Sequence, residues 1–284
     1  HDQQLETLIL ELSSKTDKTN DDIEELKNET EQLENAEKTK SDDEIINIDD
    51  VEITENAKPK NRKSVLERFT VNLTGRAKNG ELDELIGRNE EIERALQVLC
   101  RQTKNNPLFV GAPGVGKTAI AYGIARNVAM QNVPDILKDC TVLELDVGRL
   151  IAGTKFRGEL EERIKRISDE LLRRKNVILF VDEIHTIIGY GSGQNGFSDG
   201  ANLFADLVSS SDIRCMGATT YEEYSRYVEK NRALSRRFQK IDVEESSEEE
   251  AVKILKGVAP RFEKFHSVHY SDKALESAVK FSKQ

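Results

Sequence analysis

A glycine-rich stretch followed by lysine and threonine is the segment best suited to chemistry. It comprises Gly111-Ala112-Pro113-Gly114-Val115-Gly116-Lys117-Thr118 and lies between the apolar run 108–110 and the helix-forming run 119–121. A turn between a strand and a helix start directs backbone N–H groups at an anion, and the helix dipole favours negative charge there. Lys117 would reach the β- and γ-phosphates of a nucleotide, and Thr118 would place its hydroxyl on Mg²⁺. The alternative is an accidental match in an ordinary loop, which the flanking strand and helix disfavour.

Two adjacent carboxylates follow a run that is typical of a buried strand. Residues 177–181 are apolar throughout, as expected of a central strand covered on both faces, and Asp182 and Glu183 come next. The carboxyl ends of parallel strands face the ligand crevice, so this pair is expected beside the phosphate loop. Asp182 is suited to hold Mg²⁺, directly or through water, and Glu183 to orient and deprotonate an attacking water. The alternative is a capping or solvated acid pair.

Two further pairs of polar residues are candidates for the same chemistry. Thr219 and Thr220 end the next predicted strand, where a hydroxyl could contact the γ-phosphate or the attacking water. An ST-turn or a helix N-cap before Tyr221 is the alternative. Arg236 and Arg237 precede the last predicted strand, and paired guanidinium groups can neutralise charge on a transferring phosphoryl group. Loop arginines are otherwise usually only solvated.

The loop Lys155-Phe156-Arg157-Gly158 presents one aromatic ring between two cations. Phe156 is either a core anchor, the usual position of a phenylalanine, or an exposed grip for an extended chain. A second glycine-rich loop, 189–196, is predicted to be mobile. His185 has no second histidine or cysteine at ligand spacing, so no metal role is predicted for it.

Apolar runs that alternate with helix-like segments predict the elements that position these residues. Strands are predicted at 108–110, 141–147, 177–181, 213–217 and 238–243. Helices are predicted near 90–99, 119–128 and 159–174, and from about residue 246 onward. This alternation predicts an α/β fold, a doubly wound parallel sheet with right-handed crossovers.

The acidic residues are concentrated at the beginning of the chain. The 284 residues include 52 Asp and Glu against 42 Lys and Arg; residues 1–60 hold 19 and 7 of them, so the rest is close to neutral. A near-neutral remainder argues against a protein that coats nucleic acid, and no nucleic-acid partner is predicted. Residues 1–64 are poor in aromatic side chains, which predicts a largely disordered acidic linker. A specific acidic binding tail is the alternative.

No segment of the sequence indicates a secretory signal peptide or a membrane-spanning helix. The start lacks the basic region of a signal peptide, and no run approaches the ~18 apolar residues of a membrane span. Cys100, Cys140 and Cys215 are widely spaced and odd in number, as expected of buried thiols in a reducing compartment. The expected location is therefore the cytoplasm. The chain begins with His1, which suggests a fragment or a processed product.

Together these motifs resemble those of the AAA+ ATPases, and among them the Clp unfoldases, over residues 66–284. Residues 111–118 resemble the Walker A motif, and residues 178–186, around Asp182 and Glu183, resemble Walker B. Leu85-Ile86-Gly87-Arg88 is similar to the segment that holds adenine against backbone. Residues 153–158 resemble the substrate-gripping pore loop.

The remaining resemblance lies in two further motifs and in several short sequence segments. Residues 217–221 resemble the sensor strand, which favours Thr220 as the sensor, and residues 233–239 resemble the arginine-finger segment. The sequences at 98–101, 105–108 and 239–242 are closer to the ClpA subfamily than to ClpB and ClpC. The resemblance divides the chain into the linker, a large ATPase subdomain at 65–245 and the start of a truncated helical lid at 246–284.

The resemblance implies an ATPase that binds ATP with Mg²⁺ and works as a homo-hexameric ring. Ile86, Gly87 and the loop 111–118 would contact the nucleotide, and Thr118 and Asp182 would hold the metal. Glu183 would be the catalytic base and Thr220 the sensor, while Arg236 and Arg237 would serve the adjacent subunit's site. Lys155, Phe156, Arg157 and Gly158 would thread unfolded or tagged polypeptides through the pore to a ClpP-type peptidase.

The sequence departs from the family pattern at two positions. Phe156 stands where the family usually has tyrosine, a change that keeps the apolar grip, and Tyr122 stands where it usually has glutamate, with no role assigned. The family's N-terminal domain, lid arginine and second ATPase domain are not found in these residues. A different AAA+ machine, either a ClpB/ClpC-like disaggregase or one acting on DNA, is one alternative. A nucleotide-binding scaffold that does not hydrolyse ATP is another.

Overall fold

A six-stranded sheet organises the part of the chain that the computed structural model describes, which is residues 64–154, 157–189, 199–208, 210 and 212–282. The strands are β1 Thr70–Asn72, β2 Asn106–Val110, β3 Thr141–Leu145, β4 Val177–Val181, β5 Arg214–Thr219 and β6 Phe238–Asp242. They lie in the order β1-β3-β4-β5-β2-β6. Residues 1–63 of the predicted acidic linker lie outside the described residues.

Helices connect the strands and cover the sheet. They are α1 Val65–Phe69, α2 Leu73–Lys78, α3 Asn89–Leu99, α4 Lys117–Ala129, α5 Asp135–Lys138, α6 Val147–Ile151, α7 Arg157–Arg174, α8 His185–Ile188, α9 Asp199–Leu207, α10 Tyr221–Glu223, α11 Arg232–Ser235, α12 Glu248–His266 and α13 Asp272–Ser282. A single π-helical turn, Tyr224–Val228, follows α10. None of the described helices combines the length and apolarity needed to cross a bilayer.

The five strands other than β1 are parallel, and their side chains alternate between two hydrophobic layers. In β2, Leu108 and Val110 belong to one cluster and Phe109 to the other; in β4, Leu179 and Phe180 divide in the same way. Both faces are therefore buried, which explains why these strands have continuous apolar sequences. The predicted doubly wound α/β fold is confirmed.

The edge strand β1 was not predicted. It has three residues and pairs antiparallel with β3, so that Thr70 lies opposite Leu145. A segment this short carries no recognisable periodicity, and its strand conformation depends on a partner more than 70 residues further along the chain. Just before it, Ser64 caps α1 through a reciprocal capping box with Glu67.

The parallel arrangement places the candidate residues at two opposite edges of the sheet, one formed by the carboxyl ends of the strands and the other by their amino ends. The loop 111–116, Asp182 and Thr220 each follow the carboxyl end of a strand and share one edge. Arg236 and Arg237 precede β6 and lie at the other edge. The fold therefore places the predicted phosphate loop, the acid pair and Thr220 together, without the arginines.

Candidate functional site

The glycine-rich loop connects β2 to α4, with Gly116 at the N-cap position of the helix. Gly114 and Gly116 have φ angles of 80° and 98°, in the left-handed region that a Cβ disfavours. Gly111 is limited by space, because an added Cβ would lie 2.3 Å from the Val243 carbonyl oxygen. The loop backbone can therefore approach a ligand and its own neighbours closely.

Lys117 directs its ammonium group into this loop. Nζ donates hydrogen bonds to the carbonyl oxygens of Gly111 at 3.0 Å and Ala112 at 2.7 Å. Burial lowers the pKa of Lys117, while the charges of Asp182, Glu223 and Glu183 oppose that shift. The ammonium and the first turn of α4 thus combine two sources of positive potential, as a polyphosphate site requires.

Thr118 and Asp182 form the centre of the site. Oγ1 of Thr118 donates to Oδ2 of Asp182 at 2.6 Å, and the other carboxylate oxygen accepts from the Glu183 N–H at 2.9 Å. Hydroxyl and carboxylate oxygens are ligands that Mg²⁺ prefers, and it usually takes one or two from protein, with phosphates and waters completing six. No group of three or more His, Cys, Asp and Glu residues suited to a metal occurs among the described residues. The two oxygens fit a nucleotide-bound Mg²⁺.

Glu183 is exposed and has a left-handed backbone, with φ of 47°. Such a conformation is unfavourable for a residue with a long side chain and persists only where neighbouring structure holds it. Here the Ile184 N–H donates to the Ala218 carbonyl at 3.0 Å, and the Thr186 N–H to the Glu183 carbonyl at 2.8 Å. These two bonds fix the turn that presents the carboxylate to solvent.

Asp182 and Glu183 line a cavity of about 750 Å³ together with Glu144 and Asp146. The cavity opens at the edge of the sheet where β3 and β4 end. A water that enters this cavity could come within hydrogen-bond reach of the exposed Glu183 carboxylate, which is the geometry that a general base requires.

Thr219 and Thr220 have different surroundings. Thr219 is buried, and its hydroxyl lies 3.4 Å from Nδ1 of His185. Thr220 caps α10: Oγ1 accepts from the Glu223 N–H at 3.4 Å, and the Glu223 carboxylate accepts from the Thr220 N–H at 3.2 Å. The N-cap that the sequence left open as an alternative is therefore present. Because the hydroxyl accepts this bond, its proton is still available to a ligand.

Glu223 is a site residue that the sequence analysis missed. Besides capping α10 it lies 3.7 Å from Nε2 of His185, and its charge acts on Lys117. It therefore connects the turn after β4 to the end of β5. Its position three residues after the candidate hydroxyl of Thr220, the spacing of a capping box, was the signal for it in the sequence.

Arg236 and Arg237 lie far from the phosphate loop of their own chain. In the parallel β2–β6 pair, Asn106 lies beside Phe238 and Val110 beside Asp242. The arginines are thus level with the start of β2, whereas the loop follows its end, roughly 17 Å away at about 3.3 Å per residue. They line two small cavities of about 370 and 220 Å³, neither of which includes a loop residue. An arginine side chain does not span that distance.

Ile86 and Gly87 precede α3, and Ile86 contacts the C-terminal helix α12. A Cβ at Gly257 in α12 would lie 1.6 Å from Cδ1 of Ile86, so the isoleucine packs directly on that glycine. Gly87 and Arg88 have φ angles of 74° and 61°, which turn the chain into α3. A ligand in contact with Ile86 would therefore lie close to α12.

Tyr122 pairs with Glu144, a second residue that the sequence analysis missed. The Tyr122 hydroxyl lies 3.3 Å from each carboxylate oxygen of Glu144. Tyr122 comes one helical turn after Thr118, so α4 contacts Asp182, just after β4, through Thr118 and contacts β3 through Tyr122. Burial is the main cause that raises the pKa of Glu144, and Asp182 and Asp146 add to it. Burial and the Glu144 carboxylate raise the pKa of Tyr122.

The predicted gripping loop is only partly described. Lys155 and Phe156 lie outside the described residues, Arg157 begins α7, and Gly158 is exposed in its first turn. The predicted mobile loop at 189–196 also lies outside them, apart from Gly189. The roles assigned to both loops stay predictions.

Family models match almost all of the chain from β2 onward. Residues 107–244 match the model of the ATPase family associated with various cellular activities (AAA), and residues 247–284 match an AAA lid domain. The boundary between the two models falls at the connection between β6 and α12. The helices α12 and α13 are hereafter called the lid.

Known proteins similar to the chain include Clp proteins and Hsp104. It is 50% identical over 221 residues to the "ClpA homolog protein" of Fuscovulum blasticum, covering 78% of this chain and 28% of that protein. It is also 50% identical over 222 residues to the chaperone protein ClpB of Aquifex aeolicus (strain VF5), covering 78% and 22%. A solved complex of S. cerevisiae Hsp104 with casein is similar, with a TM-score of 0.71 and 40% identity over 78% of this chain and 37% of that one. The chain spans about a quarter of the length of these curated relatives.

Proposed function

The chain belongs to the AAA+ ATPases, in the group that includes the Clp proteins and Hsp104, and we propose that it is the ATP-binding and ATP-hydrolysing module of a protein unfoldase. The observation that carries this proposal is the convergence of Lys117, Thr118, Asp182 and Glu183 at one sheet edge. Each of these side chains supplies one of the functions that phosphoryl transfer to water requires.

Each residue has a separate task in the proposed reaction. The loop amides and Lys117 bind the β- and γ-phosphates, while Thr118 and Asp182 would hold Mg²⁺, whose charge offsets that of the phosphates. Glu183 accepts a proton from the attacking water as the new bond to the γ-phosphorus forms and the bond to the β-phosphate oxygen breaks. The Thr220 hydroxyl orients that water or the γ-phosphate.

Arg236 and Arg237 are proposed to complete the site of a neighbouring subunit in a homo-hexamer. Their position at the opposite sheet edge supports this assignment, because they cannot reach the loop of their own chain. A guanidinium supplied across an interface can stabilise the charge that develops in the transition state. Assembly would then be a condition of hydrolysis.

We further propose that ATP turnover threads unfolded or tagged polypeptides through the ring by means of the loop Lys155-Phe156-Arg157-Gly158. The Hsp104 complex with casein supports a polypeptide substrate. Delivery to a ClpP-type peptidase belongs to the same proposal, although relatives named ClpA and ClpB are equally similar to this chain. A cytoplasmic location is supported by its three free cysteines.

The test compares ATP turnover in the presence of casein and of DNA. Stimulation by casein is expected, and stimulation by DNA alone would favour a DNA-acting machine. ATP binding by an assembled protein without turnover would favour a scaffold. In any longer protein that contains this chain, Phe156→Ala should leave ATP turnover intact and impair the unfolding of a tagged substrate. Peptide release from labelled casein with ClpP present tests the peptidase partnership.

A further inference from the structure

Arg88 connects three segments that are far apart in the chain. Its Nη1 donates to Glu91 in α3 at 2.8 Å. Its Nη2 lies 3.0 Å from the Val115 carbonyl oxygen in the phosphate loop, 2.7 Å from the Glu244 carbonyl oxygen and 3.1 Å from Oγ of Ser246. Glu244 and Ser246 belong to the connection between β6 and the lid. One guanidinium group thus contacts the phosphate loop and the start of the lid together.

The surroundings of this guanidinium group hold it in one position. The side chains of Arg88 and Glu91 are only 11% and 18% exposed, so the ion pair is largely shielded from water and either charge alone would be costly. The planar guanidinium can also donate in several fixed directions, which an ammonium on a flexible stem cannot reproduce. Arg88 therefore acts as a rigid connector.

The contact between Arg88 and Val115 affects the backbone of the phosphate loop. In a planar trans peptide the carbonyl oxygen and the next N–H point in opposite directions. Because Arg88 holds the Val115 carbonyl, the Gly116 N–H points away from the guanidinium. This N–H belongs to the loop that leads into α4, so phosphate oxygens that bind it also act on the Arg88–Val115 contact.

The other end of the connection lies at the start of the lid. Ser246 is followed by Ser247, which begins α12 through a capping box with Glu250. A displacement of Ser246 is therefore transmitted directly to the first turn of the helix. In the middle of α12, Gly257 packs on Ile86, which comes two residues before Arg88 in the sequence.

We propose that Arg88 is a positioning residue that couples occupancy of the phosphate loop to the position of the lid. The proposal rests on the assignment of residues 111–118 as the phosphate-binding loop. Nucleotide binding at the loop favours one placement of the Val115 peptide, and Arg88 transfers that preference to Glu244 and Ser246. The lid then responds to nucleotide binding without needing any contact with the adenine ring.

Amide hydrogen exchange in α12, measured on the full chain with and without saturating MgADP, tests the coupling. In the unmodified chain MgADP should slow exchange in the first turns of α12 by about fivefold or more. Fivefold is roughly the lower end of the effects that one site typically has on another in coupled systems. Arg88→Lys keeps the charge beside Glu91 but cannot span the other acceptors. At saturating MgADP this variant should bind nucleotide and lose the slowing.

Two further variants separate coupling from simple loosening of the lid. Arg261→Gln removes an ion pair between α12 and Asp83 that does not involve the phosphate loop. It should speed exchange in both states and preserve the MgADP effect. Ser246→Ala removes one acceptor and should reduce the MgADP effect without affecting folding. An undiminished effect in both Arg88→Lys and Ser246→Ala would overturn the proposal, as would the absence of any effect in the unmodified chain.

The phosphate-loop assignment is tested separately with Lys117→Ala. Unchanged MgADP affinity in that variant would overturn the assignment itself. Loss of affinity in Lys117→Ala together with an undiminished lid response in the Arg88 and Ser246 variants would overturn only the coupling.

Discussion

Oγ1 of Thr118 and Oδ2 of Asp182 lie 2.6 Å apart, although the two residues come from the first turn of α4 and the end of β4. This contact brings the phosphate loop and the acid pair to a common centre. It also places one hydroxyl and one carboxylate where a nucleotide-bound cation would need them.

Thr118→Val should weaken nucleotide binding in the presence of Mg²⁺. Valine keeps the shape of threonine but removes the hydroxyl, so the variant loses one metal ligand and the hydrogen bond to Oδ2 of Asp182. Hydrogen bonds to charged groups contribute about 1.5–3 kcal/mol, which corresponds to a ~10–150-fold loss of affinity. Titration with a fluorescent ATP analogue, with Mg²⁺ and with EDTA, measures it. Thr118→Ser keeps the hydroxyl and is the matched control; an equal loss in both variants would contradict a metal role.

Glu183→Gln should leave ATP binding intact and lower ATP turnover. The amide keeps the size of the side chain but cannot accept a proton from water, and general base catalysis typically contributes ~10²–10⁴-fold. Steady-state phosphate release and equilibrium binding on the same preparation separate the two effects. Glu222→Gln, an exposed acid on α10, is the control. Turnover at the normal rate in Glu183→Gln would remove this residue as the base.

Mixing two inactive variants tests whether the arginines act on a neighbouring subunit. A chain with Arg236→Ala and Arg237→Ala keeps its own Glu183, and a Glu183→Gln chain keeps its arginines. If the arginines act across the interface, mixed assemblies contain some complete sites and should recover part of the turnover. The arginine variant alone should be at least ~10³-fold slower, the usual contribution of an arginine finger, and the Glu183→Gln chain alone ~10²–10⁴-fold slower. Mixed assemblies no faster than the separate variants would contradict action in trans.

Features that depend on neighbouring residues in the sequence were predictable. The apolar runs of β2 and β4 are long enough to indicate buried strands, and the loop 111–116 and Asp182 follow them directly. The parallel topology then places both at one edge.

Features that depend on residues far apart in the sequence were not predictable. Glu144 is an ordinary acid in the sequence of β3 until the fold brings Tyr122 beside it, and Glu223 gains its neighbours only when β4 and β5 lie together. Strand β1 likewise exists through its pairing with β3. The capping role of Thr220 was an open alternative, because local sequence alone did not distinguish a cap from a ligand contact.

Glu144→Gln should change the pH dependence of stability. The folded state raises the pKa of Glu144 above its ordinary value of 4.5, mainly through burial. The folded chain therefore binds this proton more tightly than the unfolded chain, and stability falls as the pH rises from about 4.5 through the raised pKa. Above that pH the charged carboxylate has its full destabilising effect.

The glutamine side chain carries no charge, and its carbonyl oxygen can still accept from the Tyr122 hydroxyl. Glu144→Gln should thus unfold at a higher temperature than the unmodified chain at pH 7 and at nearly the same temperature at pH 4.5. Thermal unfolding across this range measures the difference, with exposed Glu90→Gln as the control. Tyr122→Phe removes the donor that stabilises the carboxylate, so it should lower stability more at pH 7 than at pH 4.5. If Glu144→Gln instead lowered stability at pH 7, the carboxylate would be a net stabilising partner of Tyr122, and desolvation would not dominate this pair.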